Sequence, residues 1–195
     1  MIKKLLDVLS EHKDYLETLQ GKVLYVADWK DENNGGISFT DYDVKRATVR
    51  LLNPNMLSVC CDKFPENALP IKKGRFSQQC ECVLFPHEEA DVVDNWLLFI
   101  ETKYAKDEIK ARDERNNYPQ KMVGQIEATV EYFRNKGILE ENKVVYAIVY
   151  GIVRIRKQLC GIISASNVTI YGEVVLSSAW FRLPALAPSW VSRSR

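Results

Sequence analysis

QCECVLF at residues 79–85 and WLLFIETKY at residues 96–104 are the two stretches that decide the fold. Each is a short run of mainly apolar residues, with the valine, isoleucine and aromatic side chains that are typical of β-strands. The polar residues 86–95 separate the two runs. We therefore predict a long β-hairpin whose loop is formed by residues 86–95.

Three charged residues occupy this hairpin. Because side chains alternate along a strand, Glu101 and Lys103 share one face with Leu97 and Phe99. Glu81 lies within the apolar first strand, where a carboxylate is costly unless a cation or hydrogen bonds compensate it. If the strands pair, Glu81 and Glu101 converge on one point, and their repulsion requires a metal ion or Lys103 between them.

This arrangement predicts a site for a hard divalent cation. Mg²⁺ (or Mn²⁺) prefers oxygen ligands, so the carboxylates of Glu81 and Glu101 and the backbone carbonyl of Thr102 are the expected protein ligands. Such an ion polarises a phosphodiester and generates hydroxide from a bound water. The Lys103 ammonium would orient that water or stabilise the developing negative charge.

Hydrophobic spacing predicts the other elements outward from the hairpin. Helices are expected at residues 2–19 (an amphipathic opening helix), at 40–53, and at 118–136, which Gly137 closes. The β-branched residues within 40–53 weaken the preference for a helix there. Strands are expected at 22–29, 56–61, 143–155 and 168–176, the run at 143–155 being apolar enough to be covered on both faces. Irregular chain is expected at 65–74, a charged segment at 105–117 and a tail at 184–195.

The order of these elements resembles the PD-(D/E)xK nuclease superfamily, whose restriction-endonuclease-like core runs αβββαβ. The resemblance covers about residues 40–155 of a single domain, 1–195, with an extra N-terminal helix before the core. It implies an α/β fold with a mixed central sheet flanked by helices. The acidic position of the family falls on Glu81, and its (D/E)xK motif falls on Glu101, Thr102 and Lys103.

The resemblance also implies a function. Members bind Mg²⁺ and hydrolyse phosphodiester bonds in DNA or RNA, so a Mg²⁺-dependent nuclease acting on DNA is the leading hypothesis. Members often place a polar residue on the following helix, which Gln125 matches, with Lys121 one turn before it. The chain departs from the family in having Glu81 where Asp is usual and in lacking the literal Pro-Asp pair.

Charge and composition bound the partners and the compartment. The chain of 195 residues has a formal net charge of only +1, so nucleic-acid binding requires a local basic patch, for which Arg112, Arg115 and Lys121 are candidates. The chain shows no signal-peptide pattern and no apolar stretch of the roughly 20 residues that span a bilayer. Its five cysteines, an odd number, suit a reduced chain. A cytoplasmic protein without membrane contact is expected.

Several alternatives stay open for the hairpin residues. Glu101 and Lys103 could form a solvated strand end, Glu81 could be a partly exposed hairpin residue, and Gln125 and Lys121 could be the polar flank of an amphipathic helix. Asp94 is a reserve metal ligand, ranked below Glu81 because roughly 20 Å of strand separates it from Glu101 at ~3.3 Å per residue.

The sequence also offers alternatives to a nuclease. The pairs Cys60-Cys61 and Cys80-x-Cys82 suit buried thiols better than zinc ligands, and neither His12 nor His87 has a recognisable nucleophile beside it. A catalytically inactive member of the same fold would bind nucleic acid or protein. A third hypothesis is an oligomeric scaffold that associates through residues 144–155, and homodimer formation is left open.

Overall fold

The architecture comes from a computed structural model, which describes residues 1–28, 37–39, 49–87, 96–104, 118–152, 159–160, 168–170 and 174–175. The helices are α1 (Ile2–Val8) and α2 (Tyr118–Asn135), and a 3-10 turn spans Ser10–Asp14. The strands are, in chain order, β1 (Leu16–Leu19), β2 (Val23–Asp28), β3 (Ile37–Phe39), β4 (Val49–Leu52), β5 (Val59–Lys63), β6 (Pro70–Lys72), β7 (Arg75–Phe76), β8 (Cys82–Pro86), β9 (Leu98–Tyr104), β10 (Val145–Ile152), β11 (Leu159–Cys160), β12 (Val168–Ile170) and β13 (Val174–Val175).

The central sheet is mixed, so the chain has an α/β fold. Its strand order is β1-β5-β8-β9-β10-β11, and β12 also pairs with β10. Neighbours are antiparallel except that β10 runs parallel to β9 and to β12. Two adjacent parallel strands need a crossover between them. Helix α2 lies between β9 and β10 in the chain and contacts both strands.

Each face of the central sheet has its own apolar core. Helices α1 and α2 cover one face, where Leu5 and Leu9 join Phe99, Ile126 and Phe133 in one buried cluster. The opposite face packs against a second sheet of order β13-β4-β2-β3. The buried residues of that second cluster are Leu19, Leu24, Val26, Val49, Leu51, Val59, Cys61, Cys82, Leu84, Trp96, Leu98, Ile100 and Ile148. Burial on both faces explains why β8 and β9 read as nearly continuous apolar runs.

The hairpin and the crossover elements follow the sequence prediction closely. Strands β8 and β9 pair antiparallel, β10 falls within the predicted run 143–155, and α2 falls within 118–136. Gly137 ends the helix with a φ of +70°, a left-handed conformation that glycine adopts without steric cost. These predictions are confirmed.

Three other predictions were wrong over the residues that the structure describes. The opening helix ends at Val8, and residues 16–19 instead form β1 on the edge of β5. Residues 49–52 form β4, paired with β2, although a helix was expected there. Residues 65–74 are not all irregular, because β6 and β7 form a small hairpin. In the first two cases a strand partner distant in the chain overrides local helical spacing.

Several sequence predictions lie outside the described residues: the charged segment 105–117, the hairpin loop at 88–95, residues 40–48 and the tail 184–195. Among the residues that are described, neither helix combines the length and apolar character needed to cross a bilayer.

Candidate functional site

The paired strands β8 and β9 bring Glu81 and Glu101 to the same end of the hairpin. The end pair of this ladder is Cys82 opposite Ile100; Glu81 immediately precedes Cys82, and Glu101 immediately follows Ile100. The Glu81 backbone N–H donates to the Ile100 carbonyl at 3.1 Å, and the Glu81 carbonyl accepts from the Phe64 N–H at 3.0 Å. Glu81 thus lies just before β8, and its backbone is hydrogen-bonded to Ile100 on one side and to Phe64 on the other.

Glu101 is completely buried, with an exposed fraction of 0%. Strand alternation puts it on the same face of β9 as Leu97 and Phe99, the face that α2 covers. A solvated strand end is therefore wrong for this residue. A buried carboxylate is costly unless a cation or hydrogen bonds compensate it.

Cys80, the residue before Glu81, is buried. Burial raises the pKa of Cys80 well above its ordinary value, and the negative charges of Glu101 and Glu81 both add to that shift. Burial and these two carboxylates therefore disfavour the thiolate form of Cys80.

An open cleft of about 770 Å³ lies between α2 and the segment that leads into β8. Three of the predicted site residues line this cleft, namely Glu81, Lys121 and Gln125. Its other lining residues are Phe64, Glu66, Asn67, Ser77, Gln78, Gln79, Cys80, Gln120 and Gly124. Glu81 is half-buried and Lys121 is exposed, so both are accessible from the cleft.

Two side chains of α2 fix the segment that carries Glu81. The Gln125 Nε2 donates to the Gln79 carbonyl at 2.8 Å. The Thr129 hydroxyl accepts from the Cys80 backbone N–H at 2.9 Å and donates to the Gln125 carbonyl at 2.8 Å. These bonds tie consecutive backbone groups at 79 and 80 to the helix, which sets the position of Glu81. The sequence singled out Gln125 but not Thr129.

The structure describes only some of the remaining predicted site residues. Thr102 is fully buried in β9, where alternation assigns it to the face opposite that of Glu101. The Lys103 backbone is paired with Gly151 of β10, and its side chain lies outside what the structure describes. Arg112, Arg115 and the reserve ligand Asp94 also lie outside the described residues.

The donors at this end of the hairpin suit a hard cation better than a soft one. Glu81 and Glu101 provide carboxylate oxygens, which are the ligands that Mg²⁺ prefers. Burial raises the pKa of both Cys80 and Cys82 well above its ordinary value, which disfavours their thiolate forms in the protein. Over the described part of the chain, no cluster of three or more histidine, cysteine, aspartate or glutamate residues is arranged to hold a metal.

A buried pair, His12 and Asp62, was missed by the sequence analysis. Both side chains have 0% exposure, and His12 Nδ1 lies 2.7 Å from Asp62 Oδ2. The other ring nitrogen, Nε2, donates to the Ala68 carbonyl at 3.1 Å. Because 50 residues separate the partners along the chain, no local spacing could indicate the pair.

The surroundings of the pair shift the pKa values of both His12 and Asp62. Burial acts to lower the pKa of His12, but the hydrogen bond and charge of Asp62, together with the bond to Ala68, raise it above its ordinary value. Burial also raises the pKa of Asp62, against the hydrogen bond from His12. Both ring nitrogens of His12 are engaged within the protein, so the pair acts as a brace between the 3-10 turn, β5 and the chain at Ala68.

Comparisons of the chain with protein-family models, with curated proteins and with solved structures found no match. A functional hypothesis therefore depends on the geometry of the cleft and of the hairpin beside it.

Proposed function

We propose that the protein is a Mg²⁺-dependent nuclease of the PD-(D/E)xK type that hydrolyses phosphodiester bonds in DNA. The observation that carries the proposal is the placement of Glu81 and Glu101 at one end of the β8–β9 pair, beside a cleft lined by Lys121 and Gln125. A fully buried glutamate next to an accessible one, at the edge of a polar cleft, suits metal-assisted hydrolysis better than a purely structural role.

The element order supports the same proposal. Helix α1, strands β5, β8 and β9, helix α2 and strand β10 occur along the chain in the order αβββαβ. Strands β1 to β4 intervene between α1 and β5, and the β6–β7 hairpin intervenes between β5 and β8. The three strands pair in sequence, and β10 runs parallel to β9 after the crossover. Residues 40–53 were expected to form the first helix of the core. Helix α1 would take that position instead, because it packs on the same face of the central sheet as α2.

Each residue of the site would then have its own role in the reaction. Glu81 and Glu101, with the backbone carbonyl of Thr102, would hold the divalent ion. When bound, that ion would supply charge stabilisation and a water of lowered pKa. The Lys103 ammonium would orient the attacking water and offset negative charge on the phosphorus-bound oxygens. Gln125 orients the backbone that carries Glu81, and Lys121 offers a positive charge to an incoming phosphate.

Cleavage of labelled duplex DNA, single-stranded DNA and RNA, with Mg²⁺, Mn²⁺ or EDTA, tests the proposal. We expect metal-dependent cleavage by the wild-type protein and a loss of about 100-fold or more in both Lys103→Ala and Glu101→Gln. Lys13→Ala, which removes an exposed lysine of the 3-10 turn, is the matched control and should cleave normally. Circular dichroism must show that each variant is folded. Full activity of folded Lys103→Ala would refute the proposal.

One observation favours a second candidate, a catalytically inactive nuclease-like module that binds nucleic acid or protein. Within the described residues, no group of three or more histidine, cysteine, aspartate or glutamate side chains is arranged to hold a metal ion. Calorimetric titration with Mn²⁺ separates the two candidates. An enzyme should bind the ion and lose that binding in Glu101→Gln, whereas an inactive module should bind no ion and show no cleavage.

A further inference from the structure

The β6–β7 hairpin concentrates positive charge in a chain that is nearly neutral. Three of the four residues 72–75 are cationic, Lys72, Lys73 and Arg75, whereas the formal net charge of the whole chain is +1. All three are exposed, and residues 69–77 contain no acidic residue. Gly74, with a φ of +70°, closes the turn between them. The hairpin therefore presents a compact basic tip, which the sequence analysis had assigned to irregular chain.

The base of this hairpin is firmly attached to the body of the protein. Leu69, the residue before β6, is fully buried. The Ser77 N–H donates to the Leu69 carbonyl at 2.8 Å, which closes the two ends of the hairpin onto each other. The Tyr132 hydroxyl of α2 donates to the Pro70 carbonyl at 3.0 Å. The basic tip is thus held in a fixed place relative to α2.

That place is beside the cleft. The residues that follow β7, from Ser77 through Glu81, form one wall of the cleft, and Lys121 lines it from α2. Phe76, at the junction between hairpin and wall, is 40% exposed, an aromatic surface that a nucleobase can stack on. Glu66 and Glu81 on the cleft and Glu131 near the hairpin base are acidic residues nearby, and none of them belongs to the tip.

We propose that the β6–β7 hairpin binds the phosphate backbone of nucleic acid and guides the strand into the cleft. Lys72, Lys73 and Arg75 would each contact a phosphate, and Phe76 would stack on a base of the strand as it reaches the cleft wall. This inference rests on the proposed function of the cleft, because the nucleic acid that the hairpin binds would be the substrate of that site. Phosphate contacts of this kind make binding strongly dependent on salt.

Fluorescence anisotropy with labelled duplex and single-stranded DNA, from 50 to 300 mM salt and in EDTA, tests the inference without cleavage. The test variant carries Lys72→Ala, Lys73→Ala and Arg75→Ala. Its control carries Lys3→Ala, Lys13→Ala and Lys22→Ala, three exposed lysines elsewhere, and so has the same net charge. We expect the hairpin variant to bind of the order of 100-fold more weakly at 0.1 M salt, with the slope of log affinity against log salt reduced by about 3. The control should bind like the wild type.

Other outcomes are equally informative. Equal losses in the two triple variants, or none in the hairpin variant, would overturn the inference even if metal-dependent cleavage is observed. Loss of binding in the hairpin variant alone would support it even if no cleavage occurs, so that only the nuclease proposal fails. A wild-type protein that binds no DNA but binds vesicles of anionic lipid through these residues would also overturn it. A Phe76→Ala variant should weaken binding to single strands more than to duplexes.

Discussion

Replacing His12 by alanine should destabilise the protein far more than a typical single substitution. The ring is fully buried and joins Asp62, at 2.7 Å, to the Ala68 carbonyl, at 3.1 Å. Its removal leaves a buried carboxylate without its partner and a carbonyl without its donor. Loss of one member of such a pair costs about 3 to 5 kcal/mol. That loss is a large fraction of the total stability of a typical domain, which is about 5 to 15 kcal/mol.

Urea denaturation, followed by circular dichroism, measures the effect directly. We expect His12→Ala to lower the free energy of unfolding by about 3 to 5 kcal/mol and the neighbouring exposed variant Lys13→Ala to change it by less than about 0.5 kcal/mol. Replacing both partners by apolar residues, His12→Leu with Asp62→Leu, should recover part of the loss because no unpaired charge remains. A cost below about 1 kcal/mol for His12→Ala would show that the brace contributes little.

The dependence on pH supplies an independent check. Because the pKa of His12 is raised above its ordinary value of 6.5, its contribution is fully present below that pH and is lost as pH rises through the folded-state pKa. The stability difference between wild type and His12→Ala should therefore be larger at pH 6 than at pH 9. A difference that grows with pH would mean that the ring is neutral in the folded protein.

Three further predictions concern α2 and the thiols. Thr129→Val should lower the free energy of unfolding by about 1 to 3 kcal/mol in urea, because the buried Cys80 N–H loses its acceptor, whereas Thr129→Ser should cost much less. Gly137→Ala should cost about 1 to 2 kcal/mol in the same assay, since φ is +70° there, and Gly137→Asn should cost less; equal costs would argue against a backbone cause. Cys80 and Cys82, buried and of raised pKa, should resist iodoacetamide in the folded protein and react only in denaturant, as peptide mapping would show.

The sequence predicted best those elements whose pattern is long and strong. The strands of the hairpin and β10 are apolar runs, helix α2 has helical periodicity over many residues, and side chains on both faces of β9 are buried. The fully buried thiols were also the expected use of Cys60, Cys61, Cys80 and Cys82.

Elements that depend on distant partners were predicted poorly. Leu16 and Leu19 continue a helical spacing that begins at Ile2, but they lie on β1 because the edge of β5 offers backbone hydrogen bonds. Val49 to Leu52 join β2 for the same reason. No window of local sequence contains these partners.

Of the candidate site, the sequence anticipated part of the arrangement, while its chemistry stays a prediction. Glu81 and Glu101 lie at one end of the β8–β9 pair, and Glu81, Gln125 and Lys121 line one cleft. The anchoring role of Thr129 and the basic tip at Lys72 and Lys73 went unseen. Both depend on how α2 lies against the chain before β8, which side-chain periodicity alone does not specify.

Strand β1 has a practical consequence for handling the protein. It is four residues long, and over the described chain it forms one border of the central sheet, with Glu17 facing solvent and bonded to Lys63 of β5. A short border strand with a charged side chain is a poor template for another molecule. Removing residues 1–20 would uncover the apolar β5 instead, and its unsatisfied amides would recruit a second copy. We expect protein that lacks residues 1–20 to self-associate. An affinity tag should therefore be added before Met1 and should not replace these residues.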